Sequence, residues 1–323
     1  MADLIRVSDW PQLHDTLLIA SFAGWNDAAD AATTAVRYLS EKLSAVPFAT
    51  IDPEDFYVFS DTRPLTRFNK ETQKREIEWP TNQFSYVSEF AGQNRSLVTL
   101  VGVEPDLKWR TFGDTFFEIC RRCNVTELVL VGSLLAPVPH TRQVPLTGFS
   151  SKDETMERLR KVSVGSSRYE GPTGIVGILT SRCPEAKIEF GSVWGAAPSY
   201  LSASPNWKVT SGILSAVNEG WGLGLELEGV QGLGLRFEMQ VSEAVNNQED
   251  VSSFVRDLEE NYDEEDDDDE SDDESISPLL EREEGRRRFE EEGELPSAEL
   301  IIQELEKHLN LRRTDDDNPP RNG

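Results

Sequence analysis

Positive charge is scarce in this 323-residue sequence: 32 lysines and arginines face 59 aspartates and glutamates, for a formal charge of −27. A chain so acidic is repelled by nucleic-acid phosphates and by anionic membrane surfaces, and neither is expected as a partner. Cysteine is scarcer still, and three, an odd number, argue against a disulfide framework. Long hydrophobic runs are missing, since no stretch approaches the ~20 apolar residues that cross a bilayer. The opening MADLIRVSDWPQL has neither the basic patch nor the apolar run of a secretory signal. A soluble, cytoplasmic protein is the expectation. Catalytic signatures are missing too: there is no nucleophile elbow, Walker loop, HExxH or metal-spaced acid cluster, so neither metal nor cofactor is expected.

What charge there is lies unevenly. From Glu259 onward 26 acidic residues accompany 8 basic ones, a net −18 that leaves −9 for residues 1–258. The pattern divides the chain into an α/β body over 1–262, an acidic linker over 263–277 and a tail over 278–323. Within the linker, DEEDDDDESDDE has eleven acids in twelve positions and too little apolar surface to order itself. The tail regains helical periodicity over 297–309, where Ile301, Ile302, Leu305 and Leu309 share one side and Ser297 is placed to cap the start. A helix this short is marginal alone in water, so it is expected to dock on the body or on a partner.

In the body, strand-like apolar runs alternate with segments of helical period. Leu17 to Phe22 precedes Asp27 to Leu43, Ser96 to Val103 precedes Trp109 to Cys123, and Glu127 to Leu134 precedes Asp153 to Val162. A helical Gly174 to Arg182 and a strand-like Lys187 to Trp194 follow. Such alternation implies a mainly parallel sheet covered by helices on both faces. Between the first two units, Phe56 to Phe90 looks like a β-hairpin excursion at the sheet edge. The glycines of WGLGLELEGVQGLG, 221–234, echo a dinucleotide loop but lack the strand before it, and are read as helix ends and turns. Arg236 to Glu260 is expected to close the body as one long polar helix. Cys120 and Cys123 form a lone CxxC on the helical face of Phe116, which favours small buried residues over redox chemistry.

Polar residues gather where the strands end. SFAGWNDAADAAT, 21–33, places Trp25, Asn26 and Asp27 at a strand-to-helix turn. Asp27 there is either a cap on the helix or part of an anion site, and Trp25 either a packing lid or a contact for another chain. VGVEPDLKWRTF supplies Glu104, Trp109 and Arg110, and GSLLAPVPHTRQVPLTG supplies His140, Thr141 and Arg142. These residues fall along one edge of the expected sheet, the usual ligand crevice of an open α/β fold. A histidine beside a carboxylate suits acid/base work and an arginine suits an anion. The structural alternative is an ion pair between Glu104 and Arg110 or Arg142, with His140 bonded to a loop carbonyl.

In order along the chain, SFAGWNDAADAAT, FSDTRP (59–64), EPDLKWRTF (104–112), LLAPVPHTR (134–142), GPTGIVGIL (171–179), VWGAAPSY (193–200) and LEENYD (258–263) resemble the bacterial branch of the proteasome assembly chaperone 2 family, over about residues 5–263. The resemblance implies a three-layer αβα fold with a mainly parallel or mixed sheet, similar to purine nucleoside phosphorylase, with a hairpin insertion and C-terminal helices. It also implies homo-oligomers, trimers included, and a part in assembling proteasome α-rings. The sequence departs from the family at Ser199, where relatives resemble PHY, and at Pro137, where an acid is common. NPPRNG at the C-terminus lacks the hydrophobic-tyrosine-any tail that enters α-ring pockets. The favoured function is therefore a non-catalytic interaction factor with protein partners such as proteasome α-subunits. The alternative is a nucleoside, nucleotide or phosphate binder using His140 and Arg110 or Arg142, and behind it an ATP-grasp carboxylate–amine ligase whose residue set is not found.

Overall fold

The computed structural model describes residues 4–269, positions 71, 93, 167, 168 and 202 excepted. Along them run β1 (Ile5–Val7), β2 (Thr16–Ala23), α1 (Ala31–Lys42), β3 (Val46–Ile51), β4 (Leu65–Asn69), β5 (Lys74–Glu78), β6 (Asn82–Val87) and β7 (Leu97–Val103). Then follow α2 (Trp109–Arg122), β8 (Val125–Ala136), β9 (Leu146–Ser150), α3 (Asp153–Arg160), β10 (Val164–Ser166), α4 (Ile175–Ala186), β11 (Glu189–Pro198), α5 (Trp207–Trp221), α6 (Glu228–Asn246) and α7 (Glu249–Asp269). Nine strands make one sheet in the order β1-β3-β6-β7-β2-β8-β11-β9-β10, while β4 and β5 pair only with each other.

Strand β2 shows why the sheet has two covered faces. It is buried from Thr16 to Phe22, and alternate side chains enter different cores. Leu17 and Ile19 join the apolar faces of α1, α3 and α5. Leu18, Ala20 and Phe22 join those of α2 and α4. Strand β8 repeats the pattern, with Val129 and Val131 on the first side and Leu128 and Leu130 on the second. The result is a three-layer αβα arrangement. A third core gathers Tyr200 and Leu201 with Phe237 and Val241 of α6 and Val251 and Val255 of α7.

The sheet is evenly mixed. The central β7-β2-β8-β11 run is parallel, as is β9 with β10, whereas β1, β3 and β6 pair antiparallel with their neighbours and β11 with β9. Because the four central strands point one way, their carboxyl ends at Val103, Ala23, Ala136 and Pro198 share one rim.

Three sequence expectations are corrected here. The insertion does not stay at an edge: β6 enters the main sheet between β3 and β7, and only β4–β5 stands apart. Period-two alternation in a sequence reads the same at an edge as inside a sheet. The long C-terminal helix is two, α6 and α7, broken at Asn247 and Gln248, where Glu249 and Asp250 begin a new first turn. The glycines at 232 and 234 lie within α6, although Gly222 does end α5 in a left-handed conformation. The last described helix, α7, runs to Asp269; the 297–309 segment lies outside the described residues. The CxxC expectation stands: Cys120, Cys123 and Cys183 are free and buried, and burial pushes the thiols of Cys123 and Cys183 up to about 12.

At the amino end of β8, Glu127 is a buried carboxylate that the sequence pattern did not single out. It accepts hydrogen bonds from Arg95 (2.8 Å), Lys152 (2.8 Å) and the Trp221 indole (2.9 Å), joining β7's approach, α3 and the end of α5. Burial pushes its pKa up, but the bonds and charges of Lys152 and Arg95 outweigh that and hold it below the ordinary value. Its contribution is thus present above pH ~4.5 and fades as pH falls through the lower folded value. Glu127→Ala leaves Lys152 and the indole without this acceptor and Arg95 with Asp15 alone as its acid, and is expected to cost about 3 kcal/mol in urea unfolding at pH 7, with Glu127→Gln, which retains the indole bond, costing less.

Candidate functional site at the carboxyl rim

Leaving β2, the chain turns at Gly24, whose φ of +115° L side chains rarely adopt. Trp25 then projects into solvent with 62% of its surface exposed, while Asn26 and Asp27 are buried. The Asp27 carboxylate accepts the backbone N–H groups of Ala32 (2.7 Å) and Thr33 (3.2 Å), the Thr33 hydroxyl, and the Ser133 hydroxyl from β8 (3.1 Å). It therefore caps α1 across a single turn of 3-10 helix, Ala28–Asp30, and Asp30 at the formal cap position makes no such bond. Burial pushes the Asp27 carboxyl up, opposed by the hydrogen bonds from Thr33, Ala32 and Ser133. This settles the sequence ambiguity in favour of capping: the donors an anion would use are already taken by Asp27.

Glu104, at the end of neighbouring β7, does the same for another helix. Its Oε1 accepts the Asn26 amide (2.9 Å) and the N–H of Ile175, the first residue of α4 (2.7 Å). A carboxylate at a helix start meets the positive end of the helix dipole. The contact requires glycine at 174, because a Cβ there would stand 2.4 Å from Glu104 Oε1 and 2.6 Å from Asn26 Nδ2. Asn26 Oδ1, against the same glycine, is buried without a hydrogen-bond partner. Two residues on, the Asp106 carboxylate accepts Val58 N–H (2.7 Å) and the Thr62 hydroxyl (3.1 Å), tying the 59–64 loop to the rim. The Trp109 indole donates to the Pro105 carbonyl (2.5 Å), and Arg110 is exposed at the start of α2.

His140, Thr141 and Arg142 form a second group, facing the C-terminal helices. His140 is buried, with its backbone N–H donating to the Tyr200 hydroxyl (2.8 Å). Its Nδ1 lies 2.6 Å from that same hydroxyl and its Nε2 3.1 Å from the Ser242 hydroxyl on α6. Burial, and after it the nearby Lys208 ammonium, lowers its pKa to about 4 against the pull of Glu238 and Glu259. Thr141 donates to Glu259 of α7, and Arg142 meets Asp263 through two bonds of 2.8 and 2.7 Å and Glu259 at 3.3 Å. Both ring nitrogens and the guanidinium are thus committed to holding the loop. The ion pair expected between Glu104 and an arginine is not formed; Glu104 turns to Asn26 and α4, and Arg142 to α7.

A cavity beside His140, lined also by Val138, Asn206, Lys208 and Phe237, has about 10 Å³, room for about one water. Among the described residues no group of three or more His, Cys, Asp or Glu is placed to hold a metal. Sequence reading missed Ser133, Gly174, Tyr200, Ser242, Glu259 and Asp263 as partners. Five of these lie within quoted motifs or their flanks, and the pairing between motifs was the signal that a one-dimensional reading lacks. Beside the exposed charges of Asp106, Lys108 and Arg110, the rim leaves three apolar side chains to solvent: Trp25, Leu107 (45% exposed) and Leu135 (58% exposed).

Because the folded pKa of His140 lies below its unfolded value near 6.5, the unfolded chain takes up the proton first as pH falls. The histidine's contribution is complete above pH 6.5 and is lost as pH drops toward 4. Urea unfolding is expected to show about 2 kcal/mol lost between pH 7 and pH 5, and His140→Gln is expected to flatten that slope.

Compared with known proteins, residues 21–245 match the model of the PAC2 family. No match is found among curated proteins. A PAC2 family protein from Streptomyces avermitilis is 34% identical, with 75% of this chain and 100% of that one covered and a TM-score of 0.66. A proteasome-assembly chaperone homologue from Mycobacterium tuberculosis is 34% identical over 74% of this chain and 99% of that one, with a TM-score of 0.65. An archaeal proteasome activator from Pyrococcus furiosus, 17% identical with 74% and 97% covered and a TM-score of 0.58, shares the fold. A family match across most of the chain makes this chain a member of the PAC2 family.

Proposed function

We propose that this protein is a non-catalytic interaction factor of the proteasome-assembly type, with proteasome α-subunits as partners and a homo-oligomer, trimers included, as its working form. The observation that carries the reading is the division of labour at the rim. Asp27, Glu104, His140 and Arg142, four of the five residues chemistry would need, are spent on helix starts and loop anchors, and Arg110 alone stays exposed. Trp25, Leu107 and Leu135, which a partner would bury, are left exposed. Interfaces concentrate their binding energy in a few residues, tryptophan prominent among them. The kinship with a proteasome-assembly chaperone homologue at 34% identity supports the choice of partner.

Among the described residues no helix is long and apolar enough to cross a membrane, which accords with a cytoplasmic place of work. The nucleoside- or phosphate-binding alternative, with its phosphorylase-like crevice, draws no support from a cavity of about 10 Å³. Trp25→Ser with Leu135→Ser removes two exposed anchors and is expected to leave the melting temperature unchanged, since surface positions count for little in stability. In a cell that makes α-subunits, the tagged wild-type protein is expected to co-purify with them and the double variant to retain about a tenth as much or less. Wild-type protein recovered without α-subunits would overturn the proposal.

A further inference from the structure

The β4–β5 arm stands off the domain with an unusual surface. Its strands pair with each other in the register Thr66↔Ile77 and Phe68↔Arg75, so these four residues share one face. Phe68 is 57% and Ile77 54% exposed, and Trp79, just past β5, is 45% exposed with its ring meeting Phe59 edge-on at 4.9 Å. On the other face Arg67 pairs with Glu78 at 2.9 Å and Asn69 bonds Glu76 at 2.9 Å. A lone two-stranded hairpin is marginally stable in water, and one carrying exposed aromatic and aliphatic residues is poorly suited to stay bare. The arm also reverses the charge of the chain. Residues 63–79 hold five lysines and arginines against three glutamates in a protein of net −27.

One stretch of this same chain has the complementary chemistry. Residues 297–309 carry three glutamates and one lysine, and within them Ile301, Ile302, Leu305 and Leu309 recur at the spacing of a helix face. The 27 residues from 270 to 296 that join this stretch to α7 have a contour of up to about 90 Å. That exceeds the ~47 Å diameter expected for a domain of this size, so covalent reach is no obstacle. Contact between the arms of two copies, by contrast, would bring positive charge against positive charge.

We propose that residues 297–309 dock on the Phe68–Ile77 face of the arm of their own chain, apolar residues against apolar residues and glutamates toward Lys70 and Arg75. The acidic C-terminal region then serves to cover the arm, and a partner that takes the arm must first displace it. The inference rests on a different surface from the rim and does not depend on the proposed function.

Hydrogen exchange read by mass spectrometry on the full chain tests this, comparing wild type with Ile301→Asp plus Leu305→Asp. An unsupported hairpin opens readily, so the amides of 65–78 are expected to exchange about tenfold faster in the variant, with an unchanged melting temperature for the body. The wild-type protection is expected to be the same from about 1 to 50 µM protein, as an intrachain contact requires. Equal exchange in the two proteins would overturn the proposal. Protection that rises with concentration would overturn it too, assigning the face to a second copy.

Discussion

Two carboxylates placed at the starts of two helices organise this molecule. An open α/β sheet must leave free N–H groups where its helices begin, and in many such proteins a ligand's anion fills that need at the carboxyl rim. Here the chain supplies its own anions. Asp27 from the end of β2 closes α1, and Glu104 from the end of β7 closes α4, each reaching beyond its own turn to do so. Asn26 joins the two by donating its side-chain amide to Glu104 while its backbone carbonyl accepts Ser133 N–H from β8 (3.0 Å). The loops after three adjacent strands are thereby fixed to one another and to helices on opposite faces of the sheet.

The same logic runs through the stretches by which the chain resembles its family. SFAGWNDAADAAT meets EPDLKWRTF through Asn26 and Glu104, and EPDLKWRTF meets GPTGIVGIL through Glu104 and Ile175 and FSDTRP through Asp106 and Thr62. LLAPVPHTR meets VWGAAPSY through His140 and Tyr200, and LEENYD through Arg142 and Asp263. These are bonds among motifs. They build a stiff rim whose outward residues include Trp25, Leu107 and Leu135, which suits a surface that must present one shape to another protein.

How much of this was readable beforehand depended on the range of the interaction. The strand-turn-helix of residues 16–42, with Gly24 in the turn and Asp27 near the helix start, follows from local residues alone. The buried thiols follow from their place on the apolar face of α2. The partners of His140 do not, because Tyr200 and Ser242 lie 60 and 102 residues away and neither carries a local signature. Glu127 was hidden within an apolar strand, where its acid is made tolerable by Arg95, Lys152 and Trp221 from three other elements. The fate of β6 turned on pairing, which alternation along one strand cannot specify.

The central claim is that the carboxyl rim meets another polypeptide. Its most direct measurement places a photo-activated crosslinking amino acid at position 135, whose leucine side chain is exposed at the end of β8, and irradiates intact cells. The account predicts a discrete covalent adduct with a second protein chain. Irradiation that yields no protein adduct at 135, from a folded protein whose melting temperature rises with a nucleoside or nucleotide, would contradict it.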